Sequence, residues 1–166
     1  GAARIPYWIQ LVSDYDTWAK QLVDTDAFNY GMLASDWSVE SDLWESLTDD
    51  VTMNIVRKGE SVLEYIKQRS KSHLKSYGFV TEFAGYKCLA VNSRYESSMI
   101  FDSVRNQYPV CVMFEFTGRC WKYSLYTNGR LNASQIASIY GGGGHAGAAG
   151  FTTDTLLPCF TKEISE

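Results

Sequence analysis

The chain has 166 residues, 45% of them hydrophobic and 20% charged, enough to bury a sizeable core and too apolar for a disordered segment. No apolar run reaches the length of a membrane span, and no basic-then-apolar leader opens the sequence. A net charge of −4 disfavours a protein that grips long duplex by its backbone, so any nucleic-acid partner is expected to be short, single-stranded or a mononucleotide.

In chain order, Ile5, Trp8, Ile9 and Val12 recur at helical spacing. Residues 20–34 are mixed and Gly31 breaks them. A short helix is predicted over Asp36 to Leu47, and another from Asp49 to Arg57 with Gly59 as its terminator. The clearest helix is Glu60 to Tyr77, with Leu63, Ile66, Ser70, Leu74 and Tyr77 as its buried stripe and Gly78 as its cap. The pattern then changes to strands over Phe79–Phe83 and Tyr86–Asn92. Ser93 and Glu96 form a capping box for a helix from Arg94 to Asn106, stopped by Pro109. Val110–Phe116 and Cys120–Thr127 read as a hairpin around Thr117-Gly118-Arg119. Asn132 and Gln135 cap a helix that ends at Tyr140, and Ala149–Thr152 is one more strand. From Asp154 a short helix is interrupted by Pro158. The fold class is α/β: a mixed sheet with flanking helices over residues 79–166, preceded by a helical linker over residues 3–78.

Cys88, Cys111, Cys120 and Cys159 lack the close spacing of a zinc knuckle, and only His73 and His145 could assist them. Cys88 and Cys111 lie in apolar runs as reduced core thiols, which favours a reducing, cytoplasmic compartment. The tryptophans, including Trp18, Trp37, Trp44 and Trp121, read as core or subunit contacts, so a homodimer is an open expectation. Lys67, Lys71 and Lys75, with Arg69 nearby, fit a solvated helix face better than a phosphate strip.

Gly141 to Phe151, GGGGHAGAAGF, is the strongest local signal. Glycine amides approach an anion closely and can turn several donors toward it. His145 can donate to a phosphate oxygen, and the alanines keep the wall small. The expected substrate-binding residues are Gly142, Gly143, Gly144 and His145. Asn92 and Arg94 join them because a strand-to-helix junction favours anions, although Ser93 as a plain cap with a solvated Arg94 fits equally well. Asp14 or Asp16, in LVSDYDTW, could ligate Mn2+ or Mg2+. Residues two apart do not share a helix face, so one of the pair at most is a ligand.

The glycine string resembles the signature of the DHHA1 domain, which accompanies DHH phosphoesterases such as RecJ-like exonucleases and nano-RNases. The resemblance covers about Phe79 to Phe151. It implies a domain that holds nucleic-acid or nucleotide phosphates over a catalytic site on a separate DHH domain. It also implies that Asp14 is the metal ligand, with Mn2+ or Mg2+ in the full-length protein and none in this fragment. Family members often carry an arginine on the strand where this chain has Tyr126, a residue that could instead stack on a base. No Asp-His-His triplet occurs, so the N-terminal DHH domain is expected to be missing and the isolated chain inactive. The rival readings are a non-catalytic nucleic-acid-binding module, similar to that appended to alanyl-tRNA synthetases, and an interaction domain in which the glycines are only structural.

Overall fold

The structure is a computed structural model that describes residues 4–17, 19–94 and 98–161. The expectations for Trp18 and Glu96 lie outside the described residues. The chain forms two compact units, Gly1–Arg69 and Ser70–Glu166.

The first unit holds α1 (Tyr7–Asp16), α2 (Thr25–Leu33), α3 (Leu43–Ser46) and the start of α4 (Asp49–Tyr77). Leu11 and Asp14 are the buried residues of α1. Ile5, Ile9 and Val12, the predicted apolar repeat, are instead exposed. The reason is polar: Asp14 turns inward to collect hydrogen bonds from the segment between α1 and α2, and Leu11 goes with it. Gly31 does not break a helix and Gly59 does not end one. A Cβ at Gly59 would stand 1.7 Å from the Ala27 carbonyl oxygen, and one at Gly31 would stand 2.0 Å from that of Ile55. The two helices therefore cross backbone against backbone, which only glycine permits. On α4, Leu63 and Ser70 are buried as predicted, whereas Tyr77 is exposed. The division between the units falls within α4.

The second unit is a six-stranded mixed sheet of β1 (Gly78–Phe83), β2 (Tyr86–Asn92), β3 (Val110–Phe116), β4 (Trp121–Thr127), β5 (Gly143–Gly144) and β6 (Ala148–Thr153). Its order is β1-β2-β3-β4-β6-β5. β2 and β3 are parallel, and the other neighbours are antiparallel. Alternation sends Cys88, Ala90, Val112, Phe114, Tyr123, Leu125 and Phe151 to one face. There they meet Ile136 and Ala137 of α5 (Ala133–Ser138) and Phe160 of the tail. The Tyr123 ring lies 4.6 Å from that of Phe151, and its hydroxyl accepts the Leu157 amide at 2.9 Å, which ties down the tail.

The second face carries Leu89, Val91, Cys111 and Met113 under Ile100 and Phe101. The helix predicted from Arg94 to Asn106 is not formed by the described residues, which make two 3-10 turns, Ser98–Phe101 and Arg105–Gln107. Ile100, Phe101, Ser103 and Val104 are weak helix formers, so packing against the sheet decides their shape. The tail likewise forms only a 3-10 turn, Pro158–Phe160. No helix among the described residues is long and apolar enough to cross a membrane.

Helix propensity alone would make Gly59→Ala stabilising by about 1 kcal/mol. The crossing reverses the sign: the substitution should cost about 1–3 kcal/mol, the range for overpacking. The denaturation midpoint should fall, and a midpoint that rises would rule out the crossing.

Candidate phosphate-binding site

The glycine string is a helix cap followed by a strand. Gly141 takes φ +75° directly after the last turn of α5. The Gly141 amide donates to the Ser138 carbonyl at 3.1 Å and the Gly142 amide to the Ala137 carbonyl at 3.0 Å, the paired bonds of a left-handed helix terminus. A Cβ on Gly142 would meet the Gly150 carbonyl oxygen at 2.1 Å. Beyond it, the His145 amide donates to the Ala148 carbonyl at 2.8 Å and the Ala148 amide to that of His145 at 3.3 Å, closing a hairpin over Ala146-Gly147. The hairpin tip is pinned from behind: the Ala133 amide donates to the Ala146 carbonyl at 2.7 Å and the Thr127 amide to that of Gly147 at 3.1 Å.

This geometry sorts the amides. Gly142 is committed to Ala137. His145–Ala148 is a hydrogen-bonded pair, so the alternation of an antiparallel ladder makes Gly143–Gly150 the next such pair and leaves Gly144–Ala149 unbonded. Of the three amides expected to converge on an anion, only that of Gly144 points away from β6, at the free edge of the sheet.

Register decides which side chains share the site. His145 stands opposite Ala148, Ala148 opposite Tyr126, and Tyr126 opposite Cys111. All four belong to one row on the second face. The adjacent row is Gly143, Gly150, Ser124 and Met113. The apolar cover of this face ends at Tyr126, whose ring centre is 5.9 Å from that of Phe101. Beyond it the floor is made of Ser124, Ala148, Gly150 and Gly143, with an exposed His145 at the far side. The result is an open shelf of small residues rimmed by Tyr126 and His145. Burial raises the pKa of the Tyr126 phenol, against the Ser124 hydrogen bond and the charge of Arg105, so the hydroxyl stays protonated and able to donate.

The structure does not bring Asn92 or Arg94 to this shelf. Asn92 ends β2 and pairs with Phe114, which puts it on the first face of the sheet. It is four strands from β5, roughly 19 Å at about 4.8 Å per strand spacing. Its carbonyl oxygen lies 3.1 Å from Nε2 of His73. Arg94 lies beside β3, with Nε 3.7 Å from the Glu115 carboxylate. The expectation that both elements reach one edge fails because β4 and β6 are inserted between β3 and β5.

Asp14 belongs to the first unit. Its carboxylate accepts the Gln21 amide at 2.9 Å, the Leu22 amide at 3.1 Å and the Thr25 hydroxyl. No group of three or more His, Cys, Asp or Glu among the described residues is placed to hold a metal. Among the described residues no such group assembles around Asp14, and its carboxylate is taken up by the Gln21 and Leu22 amides and the Thr25 hydroxyl. Asp16 is exposed.

No protein-family model matches the chain. It is 26% identical, over 173 aligned residues, to an uncharacterised protein of Acanthamoeba polyphaga mimivirus, and the match takes in 96% of this chain and 40% of that protein. Among solved structures it superposes on a pGpG-specific phosphodiesterase from Vibrio cholerae with TM-score 0.52 and 12% identity. The chain has the fold of that phosphodiesterase. The superposition covers 88% of this chain and 60% of the phosphodiesterase, so the chain spans less than two thirds of either relative. An exopolyphosphatase-related protein from Bacteroides fragilis is similar at TM-score 0.44 and 16% identity, over 69% of this chain and 36% of that one.

The Asp14 bonds carry a pH signature. The Thr25 hydroxyl first, then the Gln21 amide, hold its carboxyl below the usual carboxylate range. A depressed carboxylate stabilises the fold above its unfolded value of about 3.9 and loses that contribution as pH falls through the folded value. Asp14→Asn should lower Tm at pH 7, and the gap to wild type should close below about pH 4. Equal melting at pH 7, or a gap independent of pH, would remove Asp14 from this role.

Proposed function

We propose that the Ser70–Glu166 unit binds the phosphate of a nucleotide or short single-stranded nucleic acid, as the substrate-holding part of a DHH-type phosphoesterase. The observation that carries this reading is the shelf: a floor without bulky side chains, the Gly144 amide at its edge, and His145 and the Tyr126 hydroxyl as polar groups along one row. Several fixed donors on a preorganised hairpin are what a phosphate requires. The fold shared with a pGpG-specific phosphodiesterase supports the same class of ligand. The Asp14 carboxylate is engaged by hydrogen bonds within the first unit, and the part assigned to this chain is to hold and orient the phosphate. Hydrolysis is proposed for the whole protein, with its Mn2+ or Mg2+ held by residues outside the described set.

Gly143 offers the cleanest test. A Cβ there meets nothing within 4 Å, so packing does not explain the glycine, whereas an open floor does. Gly143→Leu should leave Tm close to wild type and abolish measurable binding of the dinucleotide pApA. His145→Ala should weaken the same binding by about 1–3 kcal/mol, the range for a hydrogen bond to a charged group. Calorimetric titration of both variants checks this, and unchanged affinity in both would refute the site.

A further inference from the structure

We propose that the first unit carries a second binding site, an aromatic pocket that takes the guanidinium of an arginine in a basic protein segment. The inference stands on residues that the phosphate-binding reading does not use.

α1, α2 and the segment that follows them enclose a cavity of about 150 Å3. Phe28, buried on α2, makes its floor. Tyr15, Trp37 and Trp44 line it, with Trp37 54% and Trp44 36% exposed. The two tryptophans, expected as core or subunit contacts, thus stand at an open cavity. The Trp44 indole N–H donates to the Ser38 carbonyl at 2.8 Å, and its ring centre lies 6.3 Å from that of Trp8, which fixes one wall. Asp16 of α1 and Asn29 of α2 add oxygen acceptors to the lining.

Aromatic faces beside a carboxylate select a cation. The ring quadrupole attracts positive charge. A guanidinium stacks flat on such a face while its N–H fork reaches acceptors in its own plane, whereas an ammonium is strongly hydrated and has no such plane. Tyr15 already takes a cation from within the chain: Nζ of Lys20 lies 3.9 Å from its ring centre and pairs with Asp26. Charge points the same way. Gly1–Arg69 holds twelve Asp and Glu against six Lys and Arg. Between Lys20 and Arg57 the sequence has eight carboxylates and no Lys or Arg. Asp36, Glu40, Asp42, Glu45, Asp49 and Asp50 of that stretch are exposed. A surface of this sign repels phosphate and attracts a ligand with several positive charges. The occupant it fits is therefore an arginine within a basic segment rather than a free small cation.

The probe is the end-blocked pentapeptide GRGRG, titrated calorimetrically into the full chain at low salt. Its lysine and citrulline counterparts and free N-acetylarginine amide are the controls. GRGRG should bind more tightly than the lysine peptide, and about tenfold more tightly than the citrulline peptide, which keeps the shape and loses the charge. N-acetylarginine amide should bind more weakly than GRGRG. Trp37→Ala and Asp16→Asn change exposed side chains, so Tm should stay near wild type while GRGRG binding falls about fivefold, within the range of a cation–π contact. A wild-type chain that does not bind GRGRG would overturn the proposal. Equal binding of the citrulline peptide would overturn it in favour of an uncharged occupant. Equal binding of the arginine and lysine peptides, unchanged in Trp37→Ala, would replace the pocket by diffuse attraction to the acidic surface. Dimerisation in sedimentation runs, lost in Trp37→Ala and indifferent to GRGRG, would assign the pocket to a second copy of the chain instead.

Discussion

The reversal of the chain at Gly141 and Gly142 sets the position of every group on the shelf. The amides of these two residues close the end of α5 on Ser138 and Ala137. With φ +75° at Gly141, a side chain would cost about 1–2 kcal/mol, and at Gly142 it would collide with Gly150 and Phe151. Because the helix ends this way, Gly143 and Gly144 emerge alongside β6 and the hairpin tip falls against Thr127 and Ala133. His145 then joins Tyr126 on the second face. A one-residue slip would send it to the face covered by α5. The glycines thus act first on the backbone, and the binding proposed for them rests on the strand they permit.

Much of this was legible in the sequence. β3 runs over Val110–Phe116 as its apolar run predicts, and Asn132 caps α5 by accepting the Ser134 and Gln135 amides at 3.0 and 3.3 Å. β5 was hidden because glycine is a poor strand former and leaves no alternation to read. Gly31 and Gly59 misled for a related reason: in isolation they resemble breaks, and only the partner backbone reveals a crossing. The candidate site was half legible. The glycine–histidine string marked the hairpin, but pairing order is a long-range property, and nothing local to Asn92 or Arg94 shows that two strands separate their sheet neighbour from β5.

The electrostatic picture changes with scale. The chain is acidic overall, which argues against broad affinity for nucleic acid. Locally the picture differs: the exposed Lys122 lies on the same face of β4 as Ser124 and Tyr126. A ligand with one or two phosphates matches such a site, whereas a long duplex would meet the acidic remainder. Such a local charge is what a net value averages away.

The central claim is that phosphate is held on the second face of the sheet, between Tyr126 and the hairpin. Backbone amide NMR during a pApA titration tests it most directly. The account predicts that the Tyr126, Gly143, Gly144, His145 and Ala148 amides shift together with one saturating dependence, while that of Asn92 stays in place. Shifts centred on Asn92 and Ser93, with the hairpin amides unmoved, would contradict it.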